Sequence, residues 1–436
     1  MSKSLFLLSR LALLVAGVCA AVAAGAQQNV KPPKVQLWMD VSTGGMAGMP
    51  EMEMPAGLGG LFGGRAGPGG NSTYGMARGM NIMPARVLDI ALLNSLRPGV
   101  EAAQSIPAGM RMGGSLPLVP PPQAAPRERE PGEMPDEMRR ETPKGRILIY
   151  WGCGATVRQG QPRVIDLARG NPADFGAAFA GRHAVDRGAR VTAQHVLYPN
   201  ERSRNSLPRD SSLVGEHRVQ GEGIPASMKF TLGEAQNLMP PIELQSRGGL
   251  KDSVALSWAS VPQAQAYYLH AMGQVGGDMV MWSSAESGDS GMGLFDYLPN
   301  TAIERWLKES VLLKPQTTSC AVPRGIFAAP ERAGSDEGSG AMLRMIAYGA
   351  ESNFAYPPRP ADPKASWEPE WALRVRVKAN TMAMLGQEQE GRATAASASR
   401  ETPEAAPATA DPVQRAIESM LPIPNPAGLL KGLFGR

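Results

Sequence analysis

Three stretches of this chain bury too little apolar area to pack, and they decide what the rest can build. Residues 44–70, "GGMAGMPEMEMPAGLGGLFGGRAGPGG", place eleven glycines in 27 positions. Ordering so much glycine costs more backbone entropy than the few large side chains return, so a flexible loop is expected there. Residues 119–144, "VPPPQAAPREREPGEMPDEMRRETPK", hold seven prolines among charges of both signs, the composition of an extended link. From Gln387 the chain turns to Ala, Glu, Ser, Thr and Pro, which predicts a disordered tail over 387–436. Within that tail a short amphipathic helix is expected at "VQRAIESML", with Val413, Ile417 and Met420 on one face.

The segments between them read as β structure. In "KVQLWMDVSTG", Val35, Leu37, Met39 and Val41 alternate with other residues, so 27–43 carries an N-terminal strand. Residues 71–118 read as an irregular or β segment whose periodicity does not settle its type. Short β-prone runs such as "RILIYWG", "RVIDLA" and "KFTLG", punctuated by Gly, Pro and Asn, predict a β domain over 145–235. A further seven strand candidates over 236–386 have the profile of a β-sandwich. One helix interrupts it: "TAIERWLKESVLL" starts with Thr301 and Glu304 at capping-box spacing and stripes Ile303, Trp306, Leu307 and Val311 on one side. The fold class expected is mainly β: two β-rich domains, the second with a short inserted helix, joined and followed by long irregular segments.

Within the second domain, "VALSWASVPQAQAYYLHA" resembles the opening strands of fibronectin type III modules, over about residues 254–273. Leu256, Trp258, Val261, Ala264 and Tyr267 fall where that pattern wants apolar residues. The resemblance implies a sandwich with Trp258 and Tyr267 packed between its sheets. It implies nothing about a ligand.

The first residues speak to compartment. Lys3 and Arg10 flank the start of "LALLVAGVCAAVAAGA", and Ala24-Gly25-Ala26 forms a small-residue cleavage site. A signal peptide over 1–26 is expected, with Gln27 as the mature N-terminus and the periplasm or cell exterior as destination. Cys19 is the competing lipidation site, but Val18 stands where a small residue is required. Beyond that segment no apolar run reaches about 18 residues, so the mature chain is expected to have no transmembrane helix. The formal charge of +4 includes Lys3 and Arg10. Without them it falls to +2, which leaves no electrostatic footprint for nucleic acid.

Three stretches carry chemically suggestive residues. Export leaves Cys153 and Cys320 as the only cysteines of the mature chain, and an oxidising compartment favours a disulfide between them. Two inert buried thiols are the alternative. The four histidines stand singly, without metal-ligand spacing, and no cofactor is expected. Met46, Met49, Met52 and Met54 crowd the glycine-rich loop, where soft thioethers are able to wrap Cu(I). "VTAQH", "GDSG" and "DIALL" resemble the catalytic motifs of chymotrypsin-like serine proteases at His195, Ser290 and Asp89. The order along the chain is wrong for that family, and Met292-Gly293 stands where Gly-Pro should follow. No catalytic residue is therefore expected, and Ser290 is read as part of a solvent-exposed turn. These observations together point to an exported, non-catalytic envelope protein that binds an unknown envelope protein or polymer. Copper binding through the methionine-rich loop is the alternative, and a serine hydrolase the remote one.

Overall fold

Alternation of apolar and polar side chains is what a strand needs when its two faces meet different surroundings. Such runs dominate the computed structural model, which describes residues 29–48, 73–78, 86–122, 145–166, 181–203, 207–328, 340–362 and 364–386. Sixteen strands are formed among these residues: β1 (Val35–Met46), β2 (Arg86–Asn94), β3 (Ala102–Ser105), β4 (Ser115–Leu118), β5 (Arg146–Trp151), β6 (Arg163–Asp166), β7 (His195–Tyr198) and β8 (Gly215–Gly221). They continue with β9 (Lys229–Leu232), β10 (Leu244–Arg247), β11 (Val254–Trp258), β12 (Ala266–Val275), β13 (Asp278–Ser283), β14 (Ser319–Val322), β15 (Ala341–Tyr356) and β16 (Trp371–Leu385). One α-helix, α1 (Asn300–Lys308), lies between β13 and β14. The protein is mainly β, as its sequence pattern requires.

A nine-stranded sheet in the order β6-β5-β13-β12-β15-β16-β1-β2-β7 organises the molecule. Two smaller sheets, β10-β11-β14 and β4-β3-β8-β9, supply most of what covers its apolar face. That face carries Leu37, Met39, Val375, Val377, Met345 and Leu269, all buried in one continuous cluster with Trp258, Leu256, Val219 and Leu232 from the smaller sheets. Trp258 meets Tyr267 edge-on at 5.7 Å between ring centroids, so the two residues pack between sheets.

The boundary expected near 235 does not separate two sheets. Strand β5 pairs in parallel with β13, Ile147 opposite Met279, and β1 pairs in parallel with β16, Asp40 opposite Arg376. Pairing over such sequence distances leaves no local trace, and so the segments read as separate modules share one sheet. Strand β1 also runs to Met46, past the start expected for the loop at 44. Gly44 and Gly45 pair with Asn380 and Thr381, and a side chain at Gly45 would press on the Thr381 hydroxyl at 3.3 Å.

Helix α1 starts one residue before Thr301, behind Pro299, with no side-chain cap. Asn300 instead exchanges two hydrogen bonds with the backbone of Glu351, at 2.8 and 2.9 Å. Ile303, Trp306 and Val311 are buried as the stripe predicts. No helix among the described residues is long and apolar enough to cross a membrane. The expectations placed on 1–26, on 387–436 and on most of 44–70 and 119–144 fall outside the described residues.

Candidate functional site

The second face of the large sheet is polar and nevertheless buried. Strands β15, β16, β1 and β2 align Glu351, Arg376, Asp40 and Asp89 side by side. An irregularity between Tyr348 and Glu351 shifts the register of β15 and brings Glu351 into this row. Arg376 donates two hydrogen bonds to Asp40, at 2.6 and 2.5 Å, a bidentate pair that fixes both side chains. Glu351 accepts from Arg187 at 2.8 Å and lies 3.5 Å from Arg374.

The segment after β13 closes over this row. The Tyr297 ring lies 4.5 Å from both the Arg376 guanidinium and the Lys378 ammonium, and Asp296 lies 3.6 Å from both Lys378 and Arg78. Arg78 also pairs with Asp186. Asp89 accepts the backbone N–H groups of Gly75 and Ala77 at 3.0 and 2.9 Å. Even so, burial pushes its carboxyl up to about 8. Burial likewise brings the Lys378 ammonium down to about 8 and the His270 imidazole down to about 4. Perturbed groups of this kind often mark functional sites, and so do structural ion networks. Here Asp89 and Lys378 are both fully buried and cannot touch a ligand in this conformation. The row acts as an internal lock that holds β15, β16, β1 and β2 in register.

Next to the lock the same face opens. One concavity of about 410 Å³ is lined by Trp38, Leu93, Arg187, Arg190, His195 and Arg374 along with Asp186 and Gly188. A second, of about 400 Å³, is lined by Gln36, Asn353, Ala355, Arg359, Trp367 and Arg374 among others. Arg374 borders both, so the two form one shallow trough across β1, β16 and β15. Arg374 is itself held by Asn353 at 3.0 Å and by the Arg187 carbonyl at 2.7 Å.

Of the residues singled out from sequence, Asp89 lies in the ionic row and His195 borders the trough, and the others lie elsewhere. Cys153, just past β5, and Cys320, on β14, form a disulfide with Cα atoms 5.2 Å apart. It ties an edge region of the large sheet to the three-stranded sheet. Gly152 takes φ +87°, and its carbonyl accepts the Trp282 indole N–H at 3.1 Å. Gly154 donates to the Ala321 carbonyl at 2.9 Å. The glycines beside Cys153 thus let the chain bend back against β14.

Asp89 and His195 stand on the paired strands β2 and β7, but they are not bonded to each other. His195 takes the Thr192 N–H on Nδ1 and packs against Trp38 at 5.9 Å. The solvent-exposed turn expected at "GDSG" is incorrect: Ser290 is 1% exposed, and its hydroxyl has no hydrogen-bond partner among the described residues. Close packing explains the motif. Gly291 takes φ +67°, and a side chain there would run into the Tyr268 hydroxyl. A side chain at Gly288 would meet the Trp151 ring at 2.8 Å. Met46 ends β1, while Met49, Met52 and Met54 lie outside the described residues. No group of three His, Cys, Asp or Glu residues suited to a metal is found among the described residues.

Sequence reasoning missed the ionic row and the trough. The signal was present in "LRVRVKAN", where Arg374, Arg376, Lys378 and Asn380 recur at every second position. Such a pattern ordinarily marks a solvated face. Comparison with protein-family models, with curated proteins and with solved structures finds no match to this chain.

Proposed function

We propose that this is an exported, non-catalytic protein of the cell envelope that binds an acidic envelope polymer along the trough. The observation that carries the reading is the lining: Arg190 and Arg359 with Trp38 and Trp367, beside Arg187 and Arg374, which share Glu351, and one lining aspartate, Asp186. Guanidinium groups offer planar, permanently charged forks to carboxylate or phosphate, and indoles add rigid apolar platforms between them. A shallow, open trough suits an extended chain, since small-molecule sites enclose most of their ligand. Export is supported by the signal-like N-terminus and by the disulfide, which persists in oxidising compartments.

Residues Leu244–Leu385 are read as a fibronectin-like module within this protein. Sheet β10-β11-β14 packed against β13-β12-β15-β16 follows the strand order of immunoglobulin-type sandwiches. The remaining strands extend that sandwich sideways, and the trough spans the seam where β1 joins β16.

Co-sedimentation with purified anionic and neutral envelope glycans tests the reading. The native protein is expected to bind the anionic polymer, with affinity falling as salt rises, and the double variant Arg190→Glu/Arg359→Glu to lose binding by about tenfold or more. Equal binding of neutral glycan, or undiminished binding by the variant, would reject the trough. N-terminal sequencing that returned an unprocessed chain would reject the export route, while an acylated Cys19 would reject cleavage before Gln27 and tether the exported protein to a membrane.

A further inference from the structure

The sheet assembles a row of thioethers that no local stretch of sequence contains. Met281 on β13 pairs with Met272 on β12, Met272 with Met342 on β15, and Met342 with Met384 on β16. Four adjacent strands thus place methionine at the same level. Residues directly opposite one another in paired strands point to the same face, with Cβ atoms roughly 4.5–5.5 Å apart. Two residues along β16, on that same face, Met382 pairs with Met46 of β1. Six methionines from five consecutive strands therefore share one corner of the polar face.

Their exposure is uneven. Met281 is buried among Ile147, Ile149 and Ile165 with Met272 packed against that cluster, and Met382 is 5% exposed, but Met272, Met342 and Met46 are half-buried and Met384 is 39% exposed. The largest apolar cluster lies on the opposite face, where the intervening residues Ala271, Leu343 and Ala383 point, and a smaller one with Met281 and Met272 lies on this face. A merely greasy edge is equally well made by leucine or valine. Methionine adds a soft sulfur on three rotatable bonds, able to swing toward a shared point. The paired row holds no carboxylate, so it offers no oxygen to a hard divalent ion. Nearby Arg344, opposite Met382, lies with its guanidinium over the Phe295 ring at 4.5 Å.

We propose that Met272, Met342 and Met384, flanked by Met382 and Met46, form a thioether site for a soft monovalent metal ion, Cu(I). Thioethers are neutral and soft, which selects Cu(I) over Zn²⁺, Mg²⁺ or Ca²⁺. The ion keeps its single positive charge at the site, whereas a divalent ion there would leave twice the charge uncompensated. The site is distinct from the trough, so either can fail without the other. It is also distinct from the loop methionines, because all five residues belong to strands.

The test is anaerobic titration of the intact protein with Cu(I) against a chromophoric chelator, with Ag(I) as a redox-inert substitute. One equivalent is expected to bind, with Zn²⁺ failing to compete. Met272→Leu/Met342→Leu/Met384→Leu conserves side-chain volume and is expected to weaken binding at least about tenfold, while Met49→Leu/Met52→Leu/Met54→Leu leaves it unchanged. Methionine-methyl NMR of the wild-type protein gives a second readout that does not require the triple variant to fold. Ag(I) should shift the methyl signals of Met272, Met342 and Met384, assigned through single Met→Leu variants. The proposal is overturned if the wild-type protein binds no Cu(I), if the strand variant binds as tightly as wild type, or if the loop variant alone loses binding. Methyl shifts with an apolar peptide and none with Ag(I) would mark the row as a greasy docking patch and overturn it equally.

Discussion

Asp40 and Asp89 face each other across β1 and β2 but are held by different partners. Asp40 is clamped by Arg376, while Asp89 has two backbone N–H groups and no bonded cation. Burial keeps the Asp89 proton on to about pH 8 in the folded protein, whereas an unfolded aspartate releases it near 4. The folded state therefore holds the extra proton between those limits, and Asp89's contribution to stability falls as pH rises from about 4 to about 8. Lys378 has the opposite sign. Its folded pKa of about 8 lies below the unfolded value near 10.4, so its contribution rises with pH across that window. Asp89→Asn is expected to flatten the fall between pH 5 and 8, with the variant gaining on wild type toward pH 8. Thermal melts at the two pH values check this, and parallel curves for the two proteins would refute it. Asp40→Ala should cost about 3–5 kcal/mol, because Arg376 is left charged and buried without its partner; urea midpoints measure the loss.

At the scale of elements, two of the contacts that join the three-stranded sheet to the large one are open to a direct test. Trp258 on β11 fills the space against Tyr267 on β12, and Trp258→Ala should destabilise by about 3–5 kcal/mol, read from denaturant unfolding. The Cys153–Cys320 link closes a separation of 167 residues. In the chain-entropy account, Cys153→Ser/Cys320→Ser should lower stability by at most about 5 kcal/mol, seen as a drop in midpoint that reductant reproduces in the wild type.

Both features were legible in sequence because they depend on residue type alone: a cysteine pair and an alternating apolar run. The ionic row was not. Arg376 and Lys378 look like solvent-facing residues until Asp296, Tyr297 and Arg78 from three-dimensional neighbours close over them. "GDSG" was misread for a related reason. Its glycines answer to Trp151 and Tyr268, 137 and 23 positions away in the numbering, which no local pattern announces. The methionine row is likewise a product of register, visible only once β13, β12, β15 and β16 are aligned.

For the whole molecule, the shared sheet replaces the expected pair of independent domains. Strands β5, β13, β16 and β1 lie in one hydrogen-bonded array, and a single apolar cluster underlies most of it. Unfolding of the described core is expected to be one cooperative transition by calorimetry. Two resolved transitions, or a folded fragment covering 236–386 alone with native stability, would show that the two halves are separable after all.

The parallel pairing of β1 with β16 also sets a schedule. Strand β1 leaves the ribosome early, yet its β16 neighbour, Trp371–Leu385, is more than three hundred residues downstream. At about 5–20 residues per second the wait is roughly 20–70 s. During that time β2 can cover only one side of β1, and the other edge offers unpaired N–H and C=O groups to any passing strand. A message truncated anywhere before codon 371 would leave that edge permanently open. A product that lacks β16 therefore keeps one open strand edge on β1, of the kind that pairs with other chains.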